Sequence, residues 1–369
     1  MKKIVAVFFL LFVSALAVAQ DGVGYYYDYN NHLYVFDKGR NIQVESNKCD
    51  SLMGGDDYMA YIDQRSDLRV YYDGDVNTIE EEVPTVMIAT AHCLVYKMQN
   101  RLMIVEKGVK KKLDNWVGDF SAGDSIVVWQ SQPSMDIMAY QNGEIKTVEA
   151  AVGMEVINGH KTGKDIFAYS DLNNEFKIYD QGQVVDSKLN NIRNFKCGRD
   201  IVAFADRFNG AFNVYSDGVI NTISTQIPKK YYVTDNMVSY VDFDSNFMIY
   251  YNGVATKVES FEPQYYVAKD NIILFFYQPE LKIVYGGAIY TLEKFFDQRD
   301  VIVGINSALY TDNSNHAKYF YKGKTYENFL IDIPKSMQLF RDLPAIRYGN
   351  NTIGFFYGGK MYDFETSQY

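Results

Sequence analysis

YYVTDNMVSYVDFDSNFMIYYNGVATKVES, residues 231–260, reads as four short strands: YYVTD, MVSYVD, FMIYYN and ATKVES. Apolar and aromatic residues alternate with polar ones at the period of a strand, and the gaps are too short to hold a helix. The turn before ATKVES is Asn252-Gly253. A two-residue hairpin needs positive φ at its centre, which glycine adopts freely and asparagine tolerates. Outward from this stretch the same unit recurs as LYVFDKGRNIQVE (33–45), LRVYYDGDVNTIE (68–80), FKIYDQGQVVDSKL (176–189) and FNVYSDGVINTIS (212–224). Anchored on the hairpin glycine, the register runs Gly39, Gly74, Gly108, Gly143, Gly182, Gly218, Gly253, Gly287, Gly323 and Gly359, with spacings between 34 and 39 residues. An aromatic residue stands three positions earlier in eight of the ten units: Phe36, Tyr71, Tyr140, Tyr179, Tyr215, Tyr250, Phe320 and Phe356.

A second hairpin, between the first and second strands of each unit, carries Asp56, Asp124, Asp165, Asp200, Asp235, Asp270 and Asp342 at nearly one offset. Pro84, Pro228, Pro263 and Pro334 fall in the connections between units, where no ladder donor is needed. Four antiparallel strands per repeat of about 35 residues, repeated about ten times, describe an all-β fold: a β-propeller of nine to ten short four-stranded blades. Two smaller propellers in tandem or an open β-solenoid use the same unit. The 39-residue spacing, with its extra residues in 153–165, marks either a domain junction or a longer surface loop. Segments such as IVAFADRFNGAFNVYSDG (201–218) and IFAYSDLNNEFKIYDQG (166–182) resemble the blades of TolB-like propellers. That resemblance covers nearly the whole repeat region, implies architecture, and brings no functional residue with it.

The chain enters the pattern at a second-type strand, GYYYDY, and ends on a fourth-type strand, MYDFE, so one first-type strand is missing. Ring closure is simplest if the MVSYVD-type strand is innermost, since the gap then falls on an outer edge. The TolB-like comparison puts the YYVTD-type strand inside. In either case the glycine and aspartate hairpins share one rim. The loops after second strands and the inter-unit connections share the other.

Residues 1–19, with Lys2 and Lys3 ahead of an apolar run ending Ala17-Val18-Ala19, have the pattern of a secretory signal peptide, leaving residues 20–369 as the repeat domain. The expected product is secreted or periplasmic, with no membrane span after cleavage. Net charge falls from -10 to -12 once the two leader lysines are gone. Such an acidic chain is a poor match to nucleic acid, whose phosphates require a basic patch.

Catalytic signatures are thin. His32, His92, His160 and His316 lie in different units without metal-ligand spacing, and the 26 glycines form no nucleotide-binding loop. No metal or cofactor is expected. Cys49, Cys93 and Cys197 read as small buried residues rather than a disulfide framework. Asp28, Asp63, Asp171, Asp206, Asp242 and Asp312 recur after the second strand, where Asp closes its own turn. Read as a circle of carboxylates they would attract cations, and Asp242-x-Asp244-x-Asn246 has part of a calcium-loop spacing without its glycine or distal Glu. Departures from the repeat on that rim are the expected recognition residues: Trp129, Arg207, Phe208 and Phe243, with Gln130, Arg65 and Pro279 beside them. These features favour a monomeric, non-catalytic binding or scaffold protein holding a protein or glycan. The alternative is a propeller enzyme acting on glycans through paired channel carboxylates.

Overall fold

The computed structural model describes residues 20–366 apart from 151–159, 193, 298–300, 328–332 and 350, so the leader and most of the long insertion lie outside the described residues. Among the described residues there is no helix, and the strands form ten consecutive antiparallel sheets. Blade 1 (24–45) has three strands. Blades 2 to 10 (50–80, 86–114, 117–149, 160–190, 195–224, 230–259, 265–293, 301–326 and 336–365) have four each, hydrogen-bonded in sequence order. All ten third-to-fourth-strand hairpins turn through two residues of positive φ, as at Asp217 (51°) and Gly218 (78°), the type I′ geometry that matches the twist of the flanking strands.

Second strands are wholly buried, as in Tyr58–Ile62, Ile166–Ser170 and Met237–Val241. Fourth strands such as Val109–Asp114 are largely exposed and form the circumference. First strands of neighbouring blades approach one another and line the central channel. The YYVTD-type strand is therefore innermost, and the expectation from closure is corrected: blade 1 lacks its inner strand. Residues 20–23 fill part of that place, with Gly358 N donating to Gln20 Oε1 (3.0 Å).

Closure is made by a circle of hydrogen bonds between the inner hairpins. Gly22 N donates to Asp56 O (3.1 Å), Asp56 N to Ala91 O (2.8 Å), Ala91 N to Asp124 Oδ1 (3.0 Å), Ser125 N to Lys164 O (3.0 Å) and Lys164 N to Gly198 O (2.9 Å). It continues from Arg199 N to Asp235 O (2.9 Å), Asp235 N to Asp270 O (2.6 Å), Asn271 N to Ile305 O (3.0 Å) and Ile305 N to Asp342 Oδ1 (2.9 Å). Asp342 N then returns to Asp21 O (2.9 Å). Each blade thus holds the next and the last holds the first, which makes one closed ring rather than tandem propellers or an open solenoid. No junction interrupts it at the long insertion, because blade 4 is tied to blade 5 like any other pair. The contact is so close that a Cβ on Gly198 would lie 1.9 Å from Thr234 O, and one on Gly163 2.1 Å from Gly198 O. Glycine is required there by proximity.

Each interface between blades is also an apolar layer, such as Tyr58, Ala60, Leu68 and Val70 against Leu94, Tyr96 and Val105. Burying each large side chain contributes roughly 1.5–3 kcal/mol. The last interface stacks Phe36 on Phe355 with ring centroids 4.8 Å apart. At the edge of these layers, the residue three before a hairpin glycine meets the residue two before the glycine of the preceding blade. Where the former is Tyr, the latter is polar: Tyr71 donates to Asp37, Tyr140 to Glu106 and Tyr215 to Asp180. Where the former is Phe or Val, the latter is Tyr, as in Phe36 with Tyr357, Phe320 with Tyr285, Val105 with Tyr72 and Val284 with Tyr251. Tyr250 follows Ser216, and its buried hydroxyl has no partner among the described residues.

Candidate functional site

The inner-hairpin aspartates converge on the channel mouth together with three cations. Lys164 Nζ reaches Asp235 (2.9 Å), Asp124 (3.7 Å) and Asp270. Arg199 reaches Asp165 (2.9 Å), Asp124 (3.0 Å) and Asp235 (3.5 Å), while Arg341 pairs with Asp56 (2.6 Å). Lys164 belongs to blade 5 and Asp270 to blade 8, so the ion pairs span the mouth. Beneath them lies a cavity of about 440 Å³ bounded by the inner hairpins of blades 3 to 8 and by Arg341. Burial works to depress the Lys164 ammonium, but Asp270 and Asp235 outweigh it and its pKa is raised. Burial likewise opposes ionisation of Asp124, yet the Ala91 amide, Lys164, Arg341 and Arg199 hold its pKa below the ordinary value. For Asp235 and Asp56 burial prevails and their pKa values rise. Asp342, fully buried, is also pushed up by burial while accepting bonds from Ile305 N, Asn306 N, Asn306 Nδ2 and Ser307 Oγ. These acids are engaged in tying blades together.

The other rim is built from the loops after second strands and the inter-blade connections. Its recurring aspartates close their own turns: Asp63 accepts from Arg65 N and Asp67 N, Asp171 from Asn173 N and Glu175 N, and Asp312 from Ser314 N and His316 N. Asp242 takes both the amide and the Nδ2 of Asn246, which spends the oxygens of the calcium-like spacing inside the turn. Among the described residues no group of His, Cys, Asp or Glu is arranged to hold a metal ion. Cys49 and Cys93 are buried free thiols, and Cys197 is half-buried and free.

Of the expected recognition residues, Phe208 (99% exposed) and Phe243 (61% exposed) project from the loops of adjacent blades 6 and 7, with Arg207 exposed beside Phe208. Trp129 does not join them. It is only 1% exposed, because its place in the second strand of blade 4 turns it into the layer against blade 3, where Nε1 donates to Asp114 Oδ2 (2.9 Å). Gln130 is buried with it. Arg65 lines a separate polar cavity of about 770 Å³ between blades 1 and 2, with Gln43, Asn47 and Arg69. The exposed tryptophan is Trp116, which joins Phe261 and Phe295 in the inter-blade connections. Sequence reasoning missed these three. Their signal was a large aromatic immediately beyond a fourth strand, where the chain has left the packed layers.

Residues 17–362 match the family described as "10-bladed beta propeller domain". No curated protein is similar to the chain. Similar solved structures include the computationally designed Ika8 protein (13% identity, TM-score 0.33, covering 74% of this chain and 96% of that one). Another is PorZ, a surface component of the type-IX secretion system of Porphyromonas gingivalis (10%, 0.30, 75% and 44%). A third is the CRINKLY WD40 ectodomain of the Arabidopsis thaliana receptor kinase ACR4 (9%, 0.32, 65% and 98%).

Proposed function

We propose a binding role for this chain, which belongs to the 10-bladed β-propeller domain family: an exported, non-catalytic module that holds a protein partner on its loop rim. The observation that carries this reading is the one-sided placement of exposed aromatics. Tyr29, Trp116, Phe208, Phe243, Phe261 and Phe295 stand in the loops of the loop rim and Tyr265 opens an inner strand at that rim; Tyr232 stands further along another inner strand, and the hairpin rim presents none among the described residues. Their confinement to one face is what an interaction surface requires, and large aromatics are the side chains that dominate protein interfaces. The leader pattern of residues 1–19 supports export. The channel carboxylates support binding over glycan chemistry, because ion pairs to Lys164, Arg199 and Arg341 occupy them.

The test is capture from an envelope extract of the source cell with wild type and with Phe208→Ala/Phe243→Ala, read by mass spectrometry, alongside a glycan array. A protein retained by wild type and lost by the double variant is the expected result. Equal retention by both, or rim-dependent binding to glycans alone, overturns the protein-partner reading.

A further inference from the structure

Where blades 6 and 7 meet the loop rim, a cavity of about 320 Å³ is lined by Lys196, Arg207, Lys229, Lys230, Tyr231 and Tyr232 among others, and no carboxylate lines it. This is unexpected in a chain of net charge -10. Lys164, Arg199 and Arg341 at the other rim each meet one to three aspartates; here only Lys230 is paired, with Glu262. Among the described residues Lys196, Arg207 and Lys229 make no ion pair. Lys196 instead lies 4.2 Å from the ring centre of Tyr232 and 5.0 Å from that of Tyr231, and donates to Tyr231 O (2.6 Å). Lys229 donates to the Ser245 hydroxyl. Lys196 and Lys229 are thus held in place by rings, a carbonyl and a hydroxyl that do not neutralise them.

We infer that this cavity receives the carboxylate side chains of an acidic segment on the protein partner, an assignment that rests on the binding reading of the loop rim. Three cations, Lys196, Arg207 and Lys229, converging without an opposing charge repel one another, and an anionic group entering between them relieves that repulsion. The occupant is a peptide rather than an isolated anion because exposed Phe208 directly follows Arg207 and exposed Phe243 lies in the loop whose Ser245 accepts from Lys229, which puts apolar side chains next to the cationic ones. A segment alternating acidic and apolar side chains meets both features, with Tyr232 as a platform beside the charge.

The probe is a fluorescein-labelled decapeptide alternating Glu and Phe, followed by anisotropy at low salt, with the Gln/Phe peptide as control and oligogalacturonate as competitor. Wild type binds the Glu peptide at least tenfold more tightly than the Gln peptide. That margin disappears in Arg207→Glu/Lys229→Glu and shrinks in 0.5 M salt. Both positions are exposed, so the melting temperature of the variant stays at the wild-type value. Equal affinity for the two peptides, or an unchanged margin in the variant, overturns the inference. Displacement of the peptide by oligogalacturonate that itself binds tighter through the same residues overturns the peptide assignment in favour of an acidic glycan. If Arg207→Glu/Lys229→Glu still captures a partner that Phe208→Ala/Phe243→Ala loses, the rim reading stands and the acidic-segment inference falls. If both variants capture it, both fall.

Discussion

The two rims of this ring are made from the same repeat and differ in how much of their surface the fold itself consumes. At the hairpin rim every blade repeats the last in one respect, an inner turn donating to the next inner turn, and in several blades a glycine is pressed against a neighbour's carbonyl or an aspartate is drawn into an ion pair across the channel. At the loop rim the aspartate turns repeat, but the side chains between them do not, and those side chains stand in water. Repetition marks surface consumed by closing the ring. Irregularity marks surface left over for something else.

The sharpest way to break the comparison is at the inner hairpins. Gly198→Ala places a methyl where Thr234 O already sits, so the substitution should cost about 3 kcal/mol and lower the melting temperature by many degrees. Gly210→Ala on the loop rim, where the nearest atom to the new Cβ is 3.6 Å away, should cost about 1 kcal/mol from its positive φ alone. Equal costs at the two positions would mean that the circle of inner hairpins does not hold the ring.

Acid separates the loop-rim turn aspartates from Asp56, Asp235 and Asp342 at the hairpin rim by sign, while Asp124, held down by the Ala91 amide and its cations, sides with the former. Asp63, Asp171 and Asp312 on the loop rim have pKa values below the ordinary 3.8, because turn amides and neighbouring cations outweigh burial. Their contribution is complete above that value and is lost as pH falls through the lower folded-state value. Asp56, Asp235 and Asp342 have raised values, so the burial cost they carry at neutral pH is relieved on acidification. Asp171→Ala should therefore cost about 2 kcal/mol at pH 7, and urea titrations should show the difference fading below the ordinary carboxylate value. A difference independent of pH would contradict the turn-capping role.

The smallest effect lies between the rims, at the aromatic registers. Tyr215→Phe removes a bond to Asp180 and should cost about 1 kcal/mol, whereas Tyr250→Phe removes a hydroxyl that has no partner and should be neutral or slightly stabilising. Equal effects in thermal melts would show that the alternation of Tyr with a preceding acid is without energetic consequence.

Blade number and hairpin type were legible because one glycine register recurs over the whole repeat region and type I′ turns leave little choice of residue. Closure was legible too, in a form easily passed over. The rule pairing Tyr with a preceding polar residue, and Phe or Val with a preceding Tyr, holds from Tyr357 of the last blade to Phe36 of the first. The identity of the inner strand was not legible, because it depends on which edge faces the channel, and an edge has no periodicity of its own. Trp129 misled because departure from the repeat was equated with exposure. A strand position facing the next blade accepts a tryptophan if a partner such as Asp114 takes its N–H. Phe208 and Phe243, chosen by the same criterion, are exposed because they lie in loops.

The claim that one rim closes the ring while the other binds is tested most directly by measuring melting temperature and partner capture together on two variants. Lys164→Ala strips the channel mouth of one of its two shared cations and should melt several degrees lower while retaining the partner at temperatures where it is folded. Phe208→Ala/Phe243→Ala should melt with wild type and retain nothing. A Lys164→Ala protein that melts normally but loses the partner, beside a double variant that binds normally, would place recognition at the channel mouth and contradict the account.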